Sequence, residues 1–112
     1  MRIVACLVAG IALVTGCSGA TTIDERACPP GGTAYTYENF GKAFFTTHCT
    51  TCHGGANAYS SRSFASVESI RGSRERIFAN SAADNEAMPP GPSGPPRAER
   101  DALAEWLRCG AP

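Results

Sequence analysis

One short stretch in the middle of the chain combines two cysteines and a histidine at a spacing suited to cofactor chemistry. Two residues separate Cys49 from Cys52, and His53 follows the second cysteine directly. Two thiols at this spacing can reach the two vinyl groups on one edge of a haem and form thioethers, and the next residue can present its imidazole to the iron. The spacing therefore predicts covalent haem attachment and one axial iron ligand within a single turn of chain.

A Cys-x-x-Cys pair has two other common uses. It can form half of a tetrahedral zinc site, or it can act as a thioredoxin-type redox pair. A zinc site would need two further ligands at similar spacing, and no second Cys-x-x-Cys or His-x-x-x-His follows Cys52. A thioredoxin-type pair would need a βαβ pattern around the motif, and the sequence shows none. The pattern therefore favours haem over both alternatives.

Met88 is a candidate for the second axial ligand. It is the only methionine besides Met1, and Pro89 and Pro90 follow it. A thioether is a soft donor suited to low-spin haem iron, and histidine–methionine ligation raises the reduction potential relative to harder pairs. The prolines would stiffen this segment and keep it out of a helix. The alternative is that Met88 only fills a gap in the core.

Other polar side chains lie near these candidates in the sequence. His48, the only other histidine, adjoins the first haem cysteine. A residue in that position generally points away from the iron, so we expect His48 at the surface. Four arginines lie between the motif and Met88: Arg62, Arg71, Arg74 and Arg76. They predict either a solvated basic face or a partner for a haem propionate.

Three apolar patterns of helical period predict the elements that position these residues. The first pattern consists of Tyr37, Phe40, Gly41 and Phe44. The second consists of Val67, Ile70, Ile77 and Phe78, and Gly72 divides it into two pieces, the later one capped by Ser73. The third consists of Leu103, Trp106 and Leu107, with Glu99, Arg100, Asp101 and Glu105 outward. We therefore expect helices near residues 36–50, 66–80 and 96–108.

These elements resemble the c-type cytochromes over roughly residues 36–108. The run Gly41-Lys42-Ala43-Phe44-Phe45 is similar to the family's first helix, and three residues separate it from Cys49. The run from Ala102 to Leu107 is similar to the family's terminal helix, and Met88-Pro89-Pro90 resembles the loop that supplies the sixth ligand in bacterial members. The resemblance implies that Trp106 packs against Gly41 and Phe45.

The resemblance implies an all-α, class I-like cytochrome c domain over residues 36–112, wrapped around one covalent haem c. In such a domain Cys49 and Cys52 form the thioethers, and His53 and Met88 ligate the iron. An iron with both axial positions filled needs no bound substrate, so an electron carrier between protein redox partners is implied rather than an enzyme. The alternatives are a haem sensor or peroxidase-like protein in which Met88 dissociates, and a scaffolding lipoprotein without haem.

The start of the chain predicts export. Arg2 precedes an apolar stretch of 12 residues, 3–14, which is shorter than the roughly 20 that a membrane-spanning helix needs. The next residues, Val14-Thr15-Gly16-Cys17, resemble the lipobox of bacterial lipoproteins, in which cleavage leaves a lipid on the cysteine. We expect a signal peptide over residues 1–16 and a lipid on Cys17, with an ordinary secretory signal as the alternative.

Ser18 would be the second residue of the mature lipoprotein. By the sorting rule known for such lipoproteins, a serine there favours transport to the outer membrane. We therefore expect the protein on the periplasmic side of a bacterial membrane, with the outer membrane favoured. Residues 17–35 predict a lipidated flexible tether, because they are rich in Ser, Thr, Gly and Pro and lack helical period.

Two of the six cysteines have no assigned chemistry. Cys6 would leave with the signal peptide, and lipid and haem would take three more. Cys28 and Cys109 remain. An oxidising compartment and an even remainder predict a disulfide between them, with free thiols or an intermolecular bridge as alternatives.

Length and charge bound the remaining possibilities. A chain of 112 residues supports one small domain at most. Ten basic and ten acidic residues give no reason to expect nucleic acid as a partner. Many glycines and prolines leave a modest apolar core, and an enclosed porphyrin would enlarge it.

Overall fold

The computed structural model describes residues 21–55 and 62–112. The predicted signal peptide over residues 1–16 and the predicted lipid site at Cys17 lie outside the described residues. The described part contains helices and no strands, so the prediction of an all-α fold is confirmed. Within it, no helix has the length and apolar character that crossing a membrane requires.

Five α-helices form the described part of the chain. They are α1 (Lys42–His48), α2 (Thr50–His53), α3 (Val67–Arg71), α4 (Arg74–Ser81) and α5 (Arg97–Arg108). A turn of π-helix, Tyr37–Gly41, leads into α1, and a 3-10 turn, Ile23–Glu25, lies near the start of the described residues. All three expected helical regions are present, and two of them are divided.

The divisions have local causes. Cys49 separates α1 from α2 because its backbone leaves the helical region, with φ of −124°. Gly72 separates α3 from α4, as the sequence predicts. Ser73 occupies the N-cap position of α4, but its side chain makes no capping hydrogen bond. The predicted cap is therefore present by position only.

The first helical segment begins at a reciprocal capping box. Thr36 Oγ1 accepts a hydrogen bond from the Asn39 backbone N–H at 3.1 Å, and Asn39 Oδ1 accepts one from the Thr36 N–H at 2.6 Å. These two bonds satisfy donors that a helix start otherwise leaves unpaired. The carbonyl of Pro112 accepts from the Tyr37 N–H and from Trp106 Nε1. The end of the chain thus connects the first and last helical segments.

Trp106 occupies the centre of the core. Its side chain is fully buried, and its ring centroid lies 6.2 Å from that of Phe45. A Cβ atom added to Gly41 would lie 2.7 Å from Trp106 Cζ2 and Cη2, so the indole lies directly against the glycine backbone. The predicted contact of Trp106 with Gly41 and Phe45 is confirmed. The helices cross closely there because Gly41 has no side chain.

The start of the described chain is packed onto the helices, whereas the sequence predicts a flexible tether as far as residue 35. Ile23 is buried in the core. Cys28 and Cys109 form a disulfide, with an S–S distance of 2.03 Å. Polar contacts to α5 lie on either side of Cys28, from Arg26 to Asp101 and from Thr33 to Glu105, each at 2.7 Å. Proline and glycine content signals irregular structure, and here that structure is held by side-chain contacts.

A further contact fixes the first described residue. Thr21 Oγ1 donates a hydrogen bond to Asp84 Oδ1 at 2.7 Å, which lowers the pKa of that exposed carboxyl from its ordinary value. The contact joins this segment to the loop that follows α4. Residues 21–35 therefore form part of the compact domain.

Candidate haem-binding site

The four predicted haem residues line one cleft. Cys49, Cys52, His53 and Met88 all contribute to its surface, and its cavity volume is about 470 Å³. That volume lies in the range of about 300–1,000 Å³ that cofactor pockets usually have. The cleft's apolar wall comes from several elements and consists of Phe45, Phe64, Ile77, Pro89 and Pro90.

The two cysteines differ in their surroundings. Cys49 is partly buried at the junction of α1 and α2, and Cys52 is exposed on α2. Burial raises the pKa of the Cys49 thiol to about 12, while the positive charge of Arg100 acts in the opposite direction. Both are free thiols in the polypeptide. Both line the cleft, Cys49 from a partly buried position and Cys52 from an exposed one.

The ring of His53 is fixed by two contacts. Its Nδ1 lies 2.9 Å from the carbonyl oxygen of Arg62. Because a carbonyl oxygen can only accept, Nδ1 carries the proton and Nε2 keeps a free lone pair for a metal. The imidazole also stacks on Phe64, with ring centroids 4.8 Å apart. The residues that follow the motif therefore hold His53 in the tautomer that an axial ligand needs.

Met88 lies in the loop between α4 and α5. Its backbone N–H donates to the carbonyl of Asn80 at 2.7 Å, and its own carbonyl accepts from Arg100 at 2.9 Å. Met88 is 43% exposed and is the exposed large hydrophobic residue of the described chain. Its surroundings do not support the alternative that it fills a core gap. The backbone is anchored, and the thioether lines the cleft.

Arg100 is the main residue of this region that the sequence prediction placed wrongly. It is expected on the outer face of the last helix, but it is only 4% exposed. Helical spacing could have located it, because positions 100, 103, 104 and 107 share one face and the other three are all buried. The charge of arginine obscured this pattern. Phe64 was missed as well, since an isolated aromatic beside a loop carries no periodic signal.

His48 is less exposed than predicted. Its ring packs on Phe44, with centroids 5.0 Å apart, and its Nε2 lies 2.9 Å from Glu99 Oε2. The side chain is 15% exposed and lies at the edge of the cleft. Packing on Phe44 of α1 and the contact with Glu99 of α5 hold the imidazole in a partly buried position. Glu99 therefore holds one of the two ring nitrogens of His48.

The four arginines divide into two pairs. Arg71 Nε donates to the carbonyl of Ala111, which follows α5. Arg74 donates to the carbonyl of Leu107, in the last turn of α5. Arg62 and Arg76 line the cleft. The second pair is the one that could meet an anionic group held in the cleft.

The chemistry of the donor set fits a haem. An imidazole nitrogen and a soft thioether sulfur are a known axial pair for low-spin iron, and two thiols at the same cleft can form thioethers. The apolar wall suits a porphyrin face. Residues 21–55 and 62–112 contain no group of three or more His, Cys, Asp or Glu side chains placed to hold a metal ion.

Comparison with known proteins gives a family match. A family model described as "Cytochrome C oxidase, cbb3-type, subunit III" matches residues 39–107, which is more than half of the chain. No curated protein and no solved structure matches the chain. The matched range contains all four candidate haem residues, the other residues that line the cleft and most of α5.

Proposed function

The chain belongs to the c-type cytochrome family described as "Cytochrome C oxidase, cbb3-type, subunit III", and on this premise we propose that it carries single electrons between protein redox partners. Domains of this type hold haem c covalently, and this chain has one motif for it, at Cys49 and Cys52. The observation that carries the proposal is the common cleft lined by these cysteines, His53 and Met88. One cleft with one donor set corresponds to a single haem.

Each of the four residues has a separate role in the proposal. Cys49 and Cys52 would form the thioethers with a haem, Cys49 from a partly buried position and Cys52 from an exposed one. His53 would ligate the iron through Nε2, since the carbonyl of Arg62 holds the other ring nitrogen. Met88 would supply a sulfur ligand. A haem held in this way would supply one-electron chemistry without a bound substrate, so the chain would serve as a carrier rather than an enzyme.

The surroundings suit an electron carrier. Phe45, Phe64 and Ile77 exclude water from the inner part of the cleft, which favours a high reduction potential together with the sulfur ligand. The exposed position of Cys52 would give a redox partner close approach to the haem edge. Arg62 and Arg76 are the side chains suited to pair with the propionates, because guanidinium groups bind carboxylates strongly.

The start of the chain completes the proposal. Cleavage before Cys17 leaves a lipidated protein on the periplasmic side of a bacterial membrane, with the outer membrane favoured. Residues 17–20 then link the lipid to a domain that packs from Thr21 onward. Because an extended chain spans at most about 3.5 Å per residue, this link keeps the haem domain close to the membrane surface.

A sensor or peroxidase-like role is the second candidate function. The position of Met88 in the loop between α4 and α5 favours it, since a ligand carried on a loop could move away from the iron. His48, the nearest candidate for an acid or base, is engaged by Glu99 instead.

Carbon monoxide distinguishes the two functions. The ferrous holoprotein is exposed to carbon monoxide at neutral pH, and its visible spectrum is followed. An electron carrier with both axial positions filled keeps its low-spin spectrum. Rapid formation of a carbon monoxide complex would contradict the carrier proposal and favour the sensor.

A further inference from the structure

Arg100 is a buried cation that the electron-carrier proposal does not yet use. It lies in the first turn of α5 and is 4% exposed. Within residues 21–55 and 62–112, no carboxylate lies within ion-pair distance of its guanidinium. A buried charge is costly unless hydrogen bonds compensate for lost water, so its partners indicate its purpose.

Those partners are four backbone carbonyls from three parts of the chain. Arg100 Nε donates to Pro95 at 3.1 Å. One terminal nitrogen lies within 2.8 to 3.0 Å of the carbonyl oxygens of Ser81, Asn85 and Met88. The guanidinium therefore joins the end of α4, the loop that follows it and the start of α5.

This arrangement acts directly on Met88. Met88 lies in the loop between α4 and α5 and lines the cleft, so its position depends on how the loop backbone is anchored. That backbone has two anchors, the bond from Met88 N–H to Asn80 and the bond from Arg100 to the Met88 carbonyl. Charge-assisted hydrogen bonds are the stronger kind, and the planar fork of arginine can hold several acceptors at once.

The charge of Arg100 also reaches the cleft. One terminal nitrogen of its guanidinium lies 2.9 Å from the carbonyl oxygen of Met88, and Met88 lines the cleft. A positive charge with little solvent around it is weakly screened, so it stabilises an added electron at the cleft. Charge and hydrogen-bond geometry can therefore be separated by substitution.

We propose that Arg100 is a positioning residue for the electron-transfer site, which fixes the Met88 loop through its backbone and raises the reduction potential through its buried charge. The inference rests on Met88 being the sixth ligand. Arg100→Lys keeps the positive charge but removes the planar guanidinium and its several donors. Arg100→Gln removes both the charge and the guanidinium.

The test uses the holoprotein and two measurements. The affinity of the ferric protein for imidazole, which must displace Met88, reports how firmly the loop is held. Electrochemical titration reports the potential. We expect the affinity for imidazole to rise about ten-fold or more in both variants, because hydrogen bonds from a charged group to the loop are lost. The potential should fall more in Arg100→Gln than in Arg100→Lys.

Two further variants make the test decisive. Arg97→Gln on the same helix removes an arginine whose side chain is 58% exposed, and it should leave both measurements unchanged. Gly94→Ala places a Cβ 2.7 Å from the second terminal nitrogen of Arg100 and displaces the guanidinium while retaining the charge. If the Arg100 variants fail to fold, Gly94→Ala should still bind imidazole more tightly.

The outcomes separate this inference from the function on which it rests. Wild-type protein without a methionine–iron signature would refute the proposed ligation itself. Wild-type protein with that signature, and Arg100 variants with unchanged imidazole affinity and potential, would overturn only the role of Arg100. Unchanged affinity in Gly94→Ala would do the same where the Arg100 variants do not fold.

Discussion

At the scale of single residues, the site depends on how His53 and Met88 are held. The His53 ring is fixed by a carbonyl acceptor and by Phe64, so its free nitrogen has a defined direction. Met88 lies in a loop, and its backbone is anchored by hydrogen bonds from and to neighbouring residues. In the proposed site, the histidine would therefore be the ligand fixed by its own ring contacts, and the methionine would be the ligand positioned through its backbone.

Replacement of Met88 by alanine tests this difference. Met88→Ala should retain the covalent haem, because the thioethers form at Cys49 and Cys52. The reduction potential should fall, and the ferrous protein should bind carbon monoxide, because the sulfur ligand is lost. Intact mass and the carbon monoxide difference spectrum check the two statements.

His48→Ala is the matched control for that variant. His48 lies at the same cleft but is engaged by Glu99, so its removal should leave the potential and the resistance to carbon monoxide unchanged. A His48→Ala variant that lost low-spin ligation would instead identify His48 as an iron ligand.

Sequence spacing could identify the chemistry of the site but not its supporting contacts. Cys49, Cys52 and His53 carry a strong local signal, and Met88 stood out because few soft donors exist in the chain. Arg100 could not be placed by its type, since arginine is usually exposed. Only the surrounding pattern of buried residues on α5 reveals that its charge points inward.

At the scale of elements, the close approach of the first and last helical segments supports the cleft. Gly41 lies against the Trp106 ring, and Phe45, one turn further on, contacts both that ring and Phe64. The same packed layer thus reaches from the core to the aromatic that stacks on His53. A change at Gly41 should reach the site through this layer.

Gly41→Ala should destabilise the protein by about 1–3 kcal/mol, because the new methyl group would lie 2.7 Å from two ring carbons of Trp106. Denaturant unfolding of the holoprotein, followed by far-UV circular dichroism, measures the change. Gly72→Ala is the control. A Cβ there would lie 3.5 Å from its nearest neighbour, in a backbone conformation that alanine adopts readily.

Equal stability of Gly41→Ala and Gly72→Ala would contradict the close crossing. We expect Gly72→Ala to be neutral or slightly stabilising, since alanine restricts the unfolded chain more than glycine does.

Helical periodicity predicted where the helices lie but not how each is divided. The break at Gly72 follows from residue type, whereas the break at Cys49 does not. A cysteine between two threonine-rich stretches gives no signal of a non-helical backbone. The break lies at the first cysteine of the motif, whose backbone has a φ of −124°.

At the scale of the whole molecule, residues 21–35 enlarge a small domain. Ile23 adds to the core, and the Cys28–Cys109 disulfide joins this segment to the end of α5. The bridge spans 81 residues, so it encloses nearly the entire haem domain. Composition predicted a loose tether because it reports irregular backbone and is blind to distant partners such as Asp101 and Glu105.

Removal of the disulfide should lower stability while leaving the haem site intact. In the chain-entropy model, closure of a loop of this length contributes about 4.5 kcal/mol, and measured values are often smaller. We expect the Cys28→Ala, Cys109→Ala double variant to lose about 2–4.5 kcal/mol of unfolding free energy in a denaturant titration. Its visible spectrum should match the wild type, since neither cysteine lines the cleft. Unaltered stability would show that the bridge has no structural role.

Near-infrared magnetic circular dichroism of the ferric holoprotein is the sharpest check of the proposed ligation, because this measurement identifies both axial ligands of a low-spin haem. We expect the signature of one histidine and one methionine at neutral pH. A bis-histidine or high-spin signature would rule out the pairing of His53 with Met88.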